Sequence, residues 1–488
     1  MYKTLVVPKK LTSVRTFASH TIFSKSSGSG KCGIAVIRVS GDGTRNALKA
    51  LTGCESFKPR YATLKQIRDP STATVVDNGL VLFFNSPKSF TGEDSCEFQV
   101  HGGSAVVSAM LSALSKVKGL RPAEPGEFTR RAFFNGKMDL TEVEGLADLI
   151  HAETELQRKQ ALIQADGHLS KLYNKWRTRL IRCIAHIEAY IDFSEDENIE
   201  DDVLETMQRE LKQLKSEIQQ HLLDGRKGER LRDGVKMVIL GETNVGKSSL
   251  MNLLIQRDVS IVTSIEGTTR DIIESHYDIN GYPVLIADTA GIRDSKDVVE
   301  AEGINRAKKY ATNADIVILL IDAVKLEKHF IDSRIDMVEY QKLYLHQLGL
   351  PIEQFEDAKI LIIVNKVDLL DEKRRRELKK SNSLGISCTQ SINIAETVEE
   401  ITKRLKTLCG EPSTEAPALS HARHRHYLQE CLERIDNFLE NFDPRREQDF
   451  AILVQDLRNA VRNVGKITGE VRVDDVLDVI FRDFCIGK

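Results

Sequence analysis

The segment Gly241-Glu-Thr-Asn-Val-Gly-Lys-Ser248 carries the strongest chemical signal in the chain. It matches GxxxxGK[ST] and lies between an apolar run, Val235 to Leu240, and an apolar helical stretch, Ser249 to Ile255. Its glycines let successive backbone N–H groups curl around an oxyanion, Lys247 adds a point charge to β and γ phosphates, and the Ser248 hydroxyl can ligate Mg²⁺. Three further pieces follow in the order a guanine-nucleotide enzyme needs. Asp288 of Asp288-Thr-Ala-Gly291 can hold the metal's water shell, and the Gly291 N–H can sense a γ-phosphate. Thr269, in Gly267-Thr-Thr-Arg-Asp271, can add a second hydroxyl to the metal and fold its loop over the nucleotide. Asn365-Lys-Val-Asp368 ends the apolar run Ile360 to Val364, and the Asp368 carboxylate accepts from the two N–H donors on the guanine edge. Adenine would leave that charge poorly paired, and a site built on such a polar match rejects the wrong base strongly. Ser387-Cys388-Thr389 is a weaker fifth element beside the base.

The expected nucleotide site therefore comprises Asn244, Val245, Gly246, Lys247, Ser248 and Ser249, then Thr263, Ser264, Ile265, Glu266, Gly267, Thr268 and Thr269. Asp288, Thr289, Ala290 and Gly291 follow, with Asn365, Lys366, Val367 and Asp368, and finally Ser387, Cys388 and Thr389. Four elements in register predict GTP binding. The residue after Gly291 is Ile292, where a Ras-like enzyme carries the glutamine that orients water. An arginine finger contributes about 10³ to 10⁵ in rate, so roughly 4 to 7 kcal/mol of transition-state stabilisation must come from elsewhere. Asn244, inside the phosphate loop, is a candidate ligand for a monovalent cation set against the phosphates. Glu300, twelve residues past Asp288, is a candidate to reach back and orient the water. A carboxylate at that place taken alone is more often an ordinary exposed one.

The elements that must position these residues are readable from patterning. At 488 residues the length predicts about three domains, and 41% hydrophobic with 29% charged residues is ordinary globular composition. The net charge of −3 excludes a uniformly basic nucleic-acid coat, so an RNA partner must be held by a local patch or by another protein. Eight cysteines are scattered without a CxxC pair, which suggests neither a zinc ribbon nor a disulfide framework. From Met1 to Gly41 there is no Asp or Glu, while Lys3, Lys9, Lys10, Arg15, Lys25, Lys31 and Arg38 are basic. That stretch is similar to a mitochondrial presequence, expected to be removed near residues 17 to 20; the bland alternative is a frayed basic N-terminus.

Five segments are expected: a targeting segment (1–20), an α+β domain (21–138), a first helical segment (139–229), an α/β domain with a largely parallel sheet (230–408), and a second helical segment (409–488). Helical spacing of Trp176, Leu180, Ile184, Ile187 and Ile191, and of Leu428, Cys431, Leu432, Ile435 and Leu439, brackets the α/β unit. The simplest architecture is a helical domain interrupted by an inserted Ras-like P-loop domain. The segment Lys325 to Asp357 is expected to be a solvated insertion, and Lys373 to Lys380 a solvated helix face. His421, His424 and His426 lack acidic or cysteine companions and are expected to be a surface cluster, not a metal site.

With these motifs the chain resembles the MnmE (TrmE) family of tRNA-modification GTPases, and with its leader a mitochondrial member. The marks are Ile37-Arg-Val-Ser-Gly41, Phe90-Thr-Gly-Glu-Asp-Ser-Cys-Glu97 leading to His101-Gly-Gly103, the segment Pro125 to Leu140, Gly267 to Asp271, and the terminal Cys485-Ile-Gly-Lys488. The sequence departs from the bacterial pattern at Ser26-Ser-Gly-Ser-Gly30, where proline and alanine are usual.

The resemblance implies a homodimer joined through N-terminal folate-binding domains, and potassium-stimulated GTP hydrolysis with G-domain dimerisation and no arginine finger. By motif position, Asn244, Thr263, Ile265 and Thr268 would surround K⁺, Ser248 and Thr269 would bind Mg²⁺, and Glu300 matches the family's catalytic glutamate. Arg38, Glu97, Lys137 and Lys488 match folate-contacting positions, for a 5-formyl or 5,10-methylene tetrahydrofolate. Cations suit the glutamyl carboxylates of folate, and a carboxylate suits its pterin N–H edge. With an FAD-containing MnmG-type partner, such a protein would place an aminomethyl-type group at C5 of the wobble uridine, position 34, of mitochondrial tRNAs in the matrix. Cys485 is the family's conspicuous thiol, open to reading as nucleophile, as organiser of the site, or as a small apolar residue after Phe484. The competing function is a switch-type GTPase of mitochondrial ribosome assembly, which would need neither the folate positions nor Cys485.

Overall fold

The structure is a computed structural model. It describes residues 20–28, 30–193, 202–257, 259–264, 274–287, 310–333, 337–348, 359–378, 383–443, 450–471, 477, 479–481, 484 and 487. The chain divides into two compact units, residues 1–147 with 464–488, and residues 148–463.

The first unit is built on six strands: β1 (Thr21–Lys25), β2 (Cys32–Ser40), β3 (Thr63–Arg68), β4 (Val75–Phe84), β5 (Ser95–Gly102) and β6 (Leu120–Pro122). They lie in the order β3-β4-β5-β2-β1-β6, antiparallel except for β1 beside β6. The period-two alternation of a half-buried sheet puts Ala35, Ile37 and Val39 on one face, with Phe98 and Val100 from the next strand. Helices Thr44–Thr52 and Ser104–Ser115 contribute Leu48, Leu51, Met110 and Leu114 to that core. Arg38 and Glu97 then necessarily fall on the opposite face, paired directly across β2 and β5. The C-terminal stretch belongs to this unit. The Phe133 and Phe481 rings meet at 6.2 Å, and the Ser26 hydroxyl donates to the Gly487 carbonyl at 2.8 Å.

The second unit begins with helices Glu155–Ala165, His168–Phe193, Asp202–Leu222 and Lys227–Asp233. The first is fixed by a capping box in which Thr154 and Gln157 satisfy each other's orphan N–H groups. A sheet follows, of β7 (Val235–Leu240), β8 (Val259–Ser264), β9 (Glu274–Ile279), β10 (Tyr282–Ala287), β11 (Ile316–Asp322), β12 (Ile360–Asn365) and β13 (Leu384–Gly385). Their order is β13-β12-β11-β7-β10-β9-β8, with β9 alone antiparallel to its two neighbours. β11 and β12 are buried on both faces, which is why they read as unbroken apolar runs.

After the sheet, helix Ala422–Asn441 packs back on Asp202–Leu222. Its Arg425 is bound to Asp224, Glu229 and the Leu222 carbonyl, so the two helical stretches that flank the α/β region in sequence close on each other in space. The multidomain architecture read from the sequence is the one observed: an α+β N-terminal domain and a helical domain interrupted by a P-loop α/β domain. Among the described residues no helix is long and apolar enough to cross a membrane.

One expectation fails here. The segment after Lys325 is not a solvated insertion where it is described. Helices Ala323–Ser333 and Met337–Gln347 bury Leu326, Tyr340, Tyr344 and Leu345 against β11 and β12. A single apolar face was diluted by polar residues that point to solvent, and a composition-based reading missed it.

Candidate functional site

Parallel strands β7, β11 and β12 end together, with Leu240 opposite Leu319 and Asp322 opposite Asn365. Loops leaving the carboxyl ends of such strands converge on one crevice, the usual ligand position in open α/β sheets. The phosphate loop leaves β7 and enters helix Lys247–Arg257. Asn244 and Gly246 both take left-handed backbone angles, φ 62° and 105°. A Cβ on Gly246 would stand 2.3 Å from the Asn365 amide nitrogen, so only glycine lets these two elements approach. Lys247 Nζ donates to the Gly241 and Glu242 carbonyls at 2.7 and 2.8 Å, curling the loop around its own lysine.

Asn365 is buried and joins three of the sequence motifs. Its Nδ2 donates to the Val245 carbonyl at 2.8 Å, and its Oδ1 accepts from the backbone N–H groups of Lys366 and Cys388 at 2.8 and 3.1 Å. Lys366 also has positive φ, and its ammonium meets Asp322 Oδ2 at 2.6 Å. Burial opposes ionisation of Asp322, but the Lys366 bond and the Val324 N–H outweigh it and hold that carboxyl below its ordinary range. Asp368 Oδ1 is buried without a hydrogen-bond partner. An orphaned carboxylate oxygen is costly, and an N–H edge such as that of guanine is the kind of group that would satisfy it. Burial, against the Asn365 bond and with the Asp368 charge, pushes the Cys388 thiol up to about 11, so it borders this pocket uncharged.

Two positioning side chains in this region carry no sequence motif. Arg375 donates from Nε and Nη2 to the Val367 and Asp368 carbonyls at 2.8 and 2.9 Å, clamping the turn that presents Asp368. The basic run is therefore only partly a solvated face, because Arg375 turns inward while Lys373 and Arg376 remain exposed. Tyr344 bonds the phosphate loop itself.

Ser248 and Ser249 open the helix after the loop, and Thr389 is exposed beside buried Ser387. Thr263 and Ser264 lie at the end of β8, opposite His276 and Ser275. Ile265, Glu266, Gly267, Thr268, Thr269, Asp288, Thr289, Ala290, Gly291, Ile292 and Glu300 lie outside the described residues. β10 ends at Ala287, the position before Asp288. For Mg²⁺ and K⁺ the donors described are of the right kind: a serine hydroxyl at a helix start, and an exposed asparagine held with left-handed backbone in the loop.

A second constellation stands on the outer face of the N-terminal sheet. Arg38 Nε and Nη2 both donate to Glu97 Oε1, at 3.0 and 2.9 Å. The guanidinium carbon sits 5.1 Å from the Phe90 ring centre and 5.7 Å from that of Phe128. These aromatic walls were not singled out in the sequence, although Phe90 and Phe128 lie inside the quoted motifs. Lys137 Nζ turns to the Pro87 carbonyl at 3.2 Å. Cys485 and Lys488 lie outside the described residues, but Gly487 between them is placed: φ is 103°, and a Cβ there would meet the Lys25 carbonyl at 2.0 Å. The Ser26 loop, where the sequence departs from the bacterial pattern, is thus the loop that holds the chain's end.

The histidine cluster is corrected. His424 is fully buried, its ring 5.8 Å from Tyr173, which also meets Trp176 and His221. His421 Nε2 binds Asp148 Oδ2 at 3.0 Å, and Arg232 holds the other oxygen of Asp148 at 2.8 Å. Of the three only His426 is exposed, since helices from both sides of the α/β region bring an aromatic pocket to His424 and a carboxylate to His421. Among the described residues no three His, Cys, Asp or Glu side chains are grouped to hold a metal ion.

A phosphate loop at the carboxyl edge of a mostly parallel sheet, joined through Asn365 to the turn that carries Asp368, defines a P-loop GTPase. Comparison with known proteins agrees and goes further. A family model described as the MnmE helical domain matches residues 140–485, and one described as the GTP-binding protein TrmE N-terminus matches residues 21–137. The chain is 46% identical to the Danio rerio protein named 5-taurinomethyluridine-[tRNA] synthase subunit GTPB3, mitochondrial, over 99% of this chain and 97% of the relative. The Homo sapiens protein of the same name is 45% identical over 96% and 93%. The Rickettsia akari tRNA modification GTPase MnmE is 42% identical over 96% and 100%. The chain belongs to the MnmE (TrmE) family of tRNA-modification GTPases.

Proposed function

We propose that this GTPase is the nucleotide-hydrolysing subunit of a mitochondrial matrix enzyme that modifies C5 of the wobble uridine in mitochondrial tRNAs. The names of its vertebrate relatives, a mitochondrial synthase subunit for 5-taurinomethyluridine, support the compartment, the substrate and the need for a partner subunit. An FAD-containing MnmG-type protein fits that partner, and a homodimer joined through the N-terminal domains fits the family resemblance.

The observation that carries the reading beyond a nucleotide switch is the outer-face constellation of Arg38, Glu97, Phe90 and Phe128 in the unit that also holds Gly487. A purely nucleotide-controlled switch has no use for a buried-edge charge pair between aromatic rings. The pair offers a cation for carboxylates, a carboxylate for N–H edges and faces for stacking, which suits a tetrahydrofolate. Lys137 and Lys488 would add cations toward its glutamyl tail, and Cys485 would stand near the reacting carbon. When bound, the folate would supply the one-carbon unit that becomes the aminomethyl-type group.

At the nucleotide, the loop amides and Lys247 bind the β and γ phosphates, and Asp368 selects guanine. Ser248 and Thr269 would hold Mg²⁺, and Asn244 with Thr263, Ile265 and Thr268 would hold K⁺. These cations would neutralise charge that develops on the transferring phosphoryl group. Glu300 takes the water-orienting role for which Ile292 has no polar atom.

The test is mass analysis of wobble uridines in mitochondrial tRNA from cells lacking the protein. Loss of the C5 substituent is expected. Intact modification with unchanged partner levels would instead favour a ribosome-assembly switch.

A further inference from the structure

Glu242, the second residue of the phosphate loop, is held at three points. Its N–H donates to the Tyr344 hydroxyl at 2.9 Å, its carbonyl accepts from Lys247 Nζ at 2.8 Å, and its carboxylate pairs with Lys325. Tyr344 in turn donates to the Leu320 carbonyl of β11 at 3.1 Å. The same carbonyl lies 2.5 Å from where a Cβ on Gly241 would stand, so the loop begins in direct contact with that strand. The Tyr344 ring is 2% exposed and stacks on Tyr340, with centres 5.9 Å apart and planes 20° apart. Tyr344 and Lys325 both come from the helices after β11 that composition alone suggested were solvated.

A backbone N–H turned from water must find a partner, and at the start of a phosphate loop the choice of partner fixes the plane of the peptide. Here the partner is a phenol delivered from 102 residues away. Burial, opposed by the Glu242 N–H bond and aided by the Glu242 carboxylate, pushes that phenol well above its ordinary range, so it remains an O–H donor at every physiological pH.

We propose that Tyr344, braced by Tyr340 and assisted at the rim by Lys325, is a positioning residue for the phosphate loop. It fixes the Glu242 peptide, so that the amides from Asn244 to Ser248 already face the diphosphate site before nucleotide arrives. Preorganisation of this kind strengthens binding by removing the ordering cost from the binding step. It acts through the phosphates, because the turn that carries Asp368 is clamped separately by Arg375.

The experiment compares GDP and guanosine affinities of the full-length protein with Tyr344→Phe, which keeps the ring and removes the hydroxyl. GDP affinity is expected to fall about tenfold, the effect of leaving one backbone N–H without its partner, with guanosine affinity unchanged. Lys325→Gln, a change at an exposed position outside the core, is expected to weaken GDP about twofold, again without affecting guanosine. If Tyr344→Phe does not fold, Lys325→Gln alone decides: unchanged GDP affinity in that variant overturns the proposal. With folded Tyr344→Phe, an unaltered ratio of GDP to guanosine affinity overturns it, whether both values hold or both fall together.

Discussion

The nucleotide site and the Arg38–Glu97 site are constructed on opposite plans. The first is made largely of backbone: a loop with two left-handed residues, carbonyls folded onto Lys247, and turns joined by one asparagine. The second is made of side chains facing each other across two antiparallel strands, 59 residues apart in sequence, with aromatic rings brought from elsewhere. A backbone cradle requires consecutive residues of defined conformational freedom and so leaves a motif. A side-chain pair requires only that two strands align, and each member alone reads as an ordinary surface ion pair. Shape and charge chemistry can therefore be equally specific while leaving very different traces in a sequence.

The sharpest way to break this contrast is to change the ion at the cradle. Replacing potassium by sodium at equal ionic strength is expected to lower GTP turnover by about 10² to 10³, the scale of losing one preorganised charge stabiliser, while nucleotide binding survives. Equal steady-state rates in both salts would remove the cation from the mechanism.

Asp368→Asn comes next. It exchanges an unpaired carboxylate oxygen for an amide and should weaken GTP about a hundredfold, while improving xanthosine triphosphate, whose C2 carbonyl can accept from the new N–H. Competition binding with the two nucleotides checks this, and retained guanine preference would place base reading elsewhere.

At the side-chain site, Arg38→Ala should weaken tetrahydrofolate binding about tenfold, the order of one charge-assisted bond, and leave GTP turnover unchanged. Calorimetry with a 5-formyl folate measures it.

A last prediction separates structure from function in the helical region. Burial pushes His221 down to about 4, against an unfolded value near 6.5, with the Asp224 and Arg425 charges acting in opposite senses. Between those values the unfolded chain takes up a proton that the folded one refuses. Stability is therefore complete above about pH 6.5 and falls as the pH drops toward 4, by about 3 kcal/mol. Thermal midpoints should drop between pH 7 and pH 5, and His221→Gln should flatten that dependence.

What was legible in the sequence follows the same division. Strands β7, β11 and β12, the phosphate loop and the Asn365 to Asp368 turn were readable because each is an apolar run ending in consecutive functional residues. The flanking helices were readable from spacing, and their mutual packing through Arg425 confirmed the insertion. Tyr344 and Arg375 were not, because one bonds Glu242 from 102 positions away and the other hides in a run of charges. His421 and His424 were misplaced because burial at a helix start depends on what the other helices bring to it, namely Tyr173 and Asp148. Arg38 and Glu97 were named through the family resemblance, and their pairing across β2 and β5 was visible only in the fold.

The central claim is that GTP hydrolysis and the N-terminal site serve one modification reaction. The most direct measurement is the wobble-uridine mass profile of mitochondrial tRNA in cells whose only copy of the protein carries Arg38→Ala. The account predicts loss of the C5 substituent with GTP turnover of the purified variant intact; full modification in those cells would contradict it.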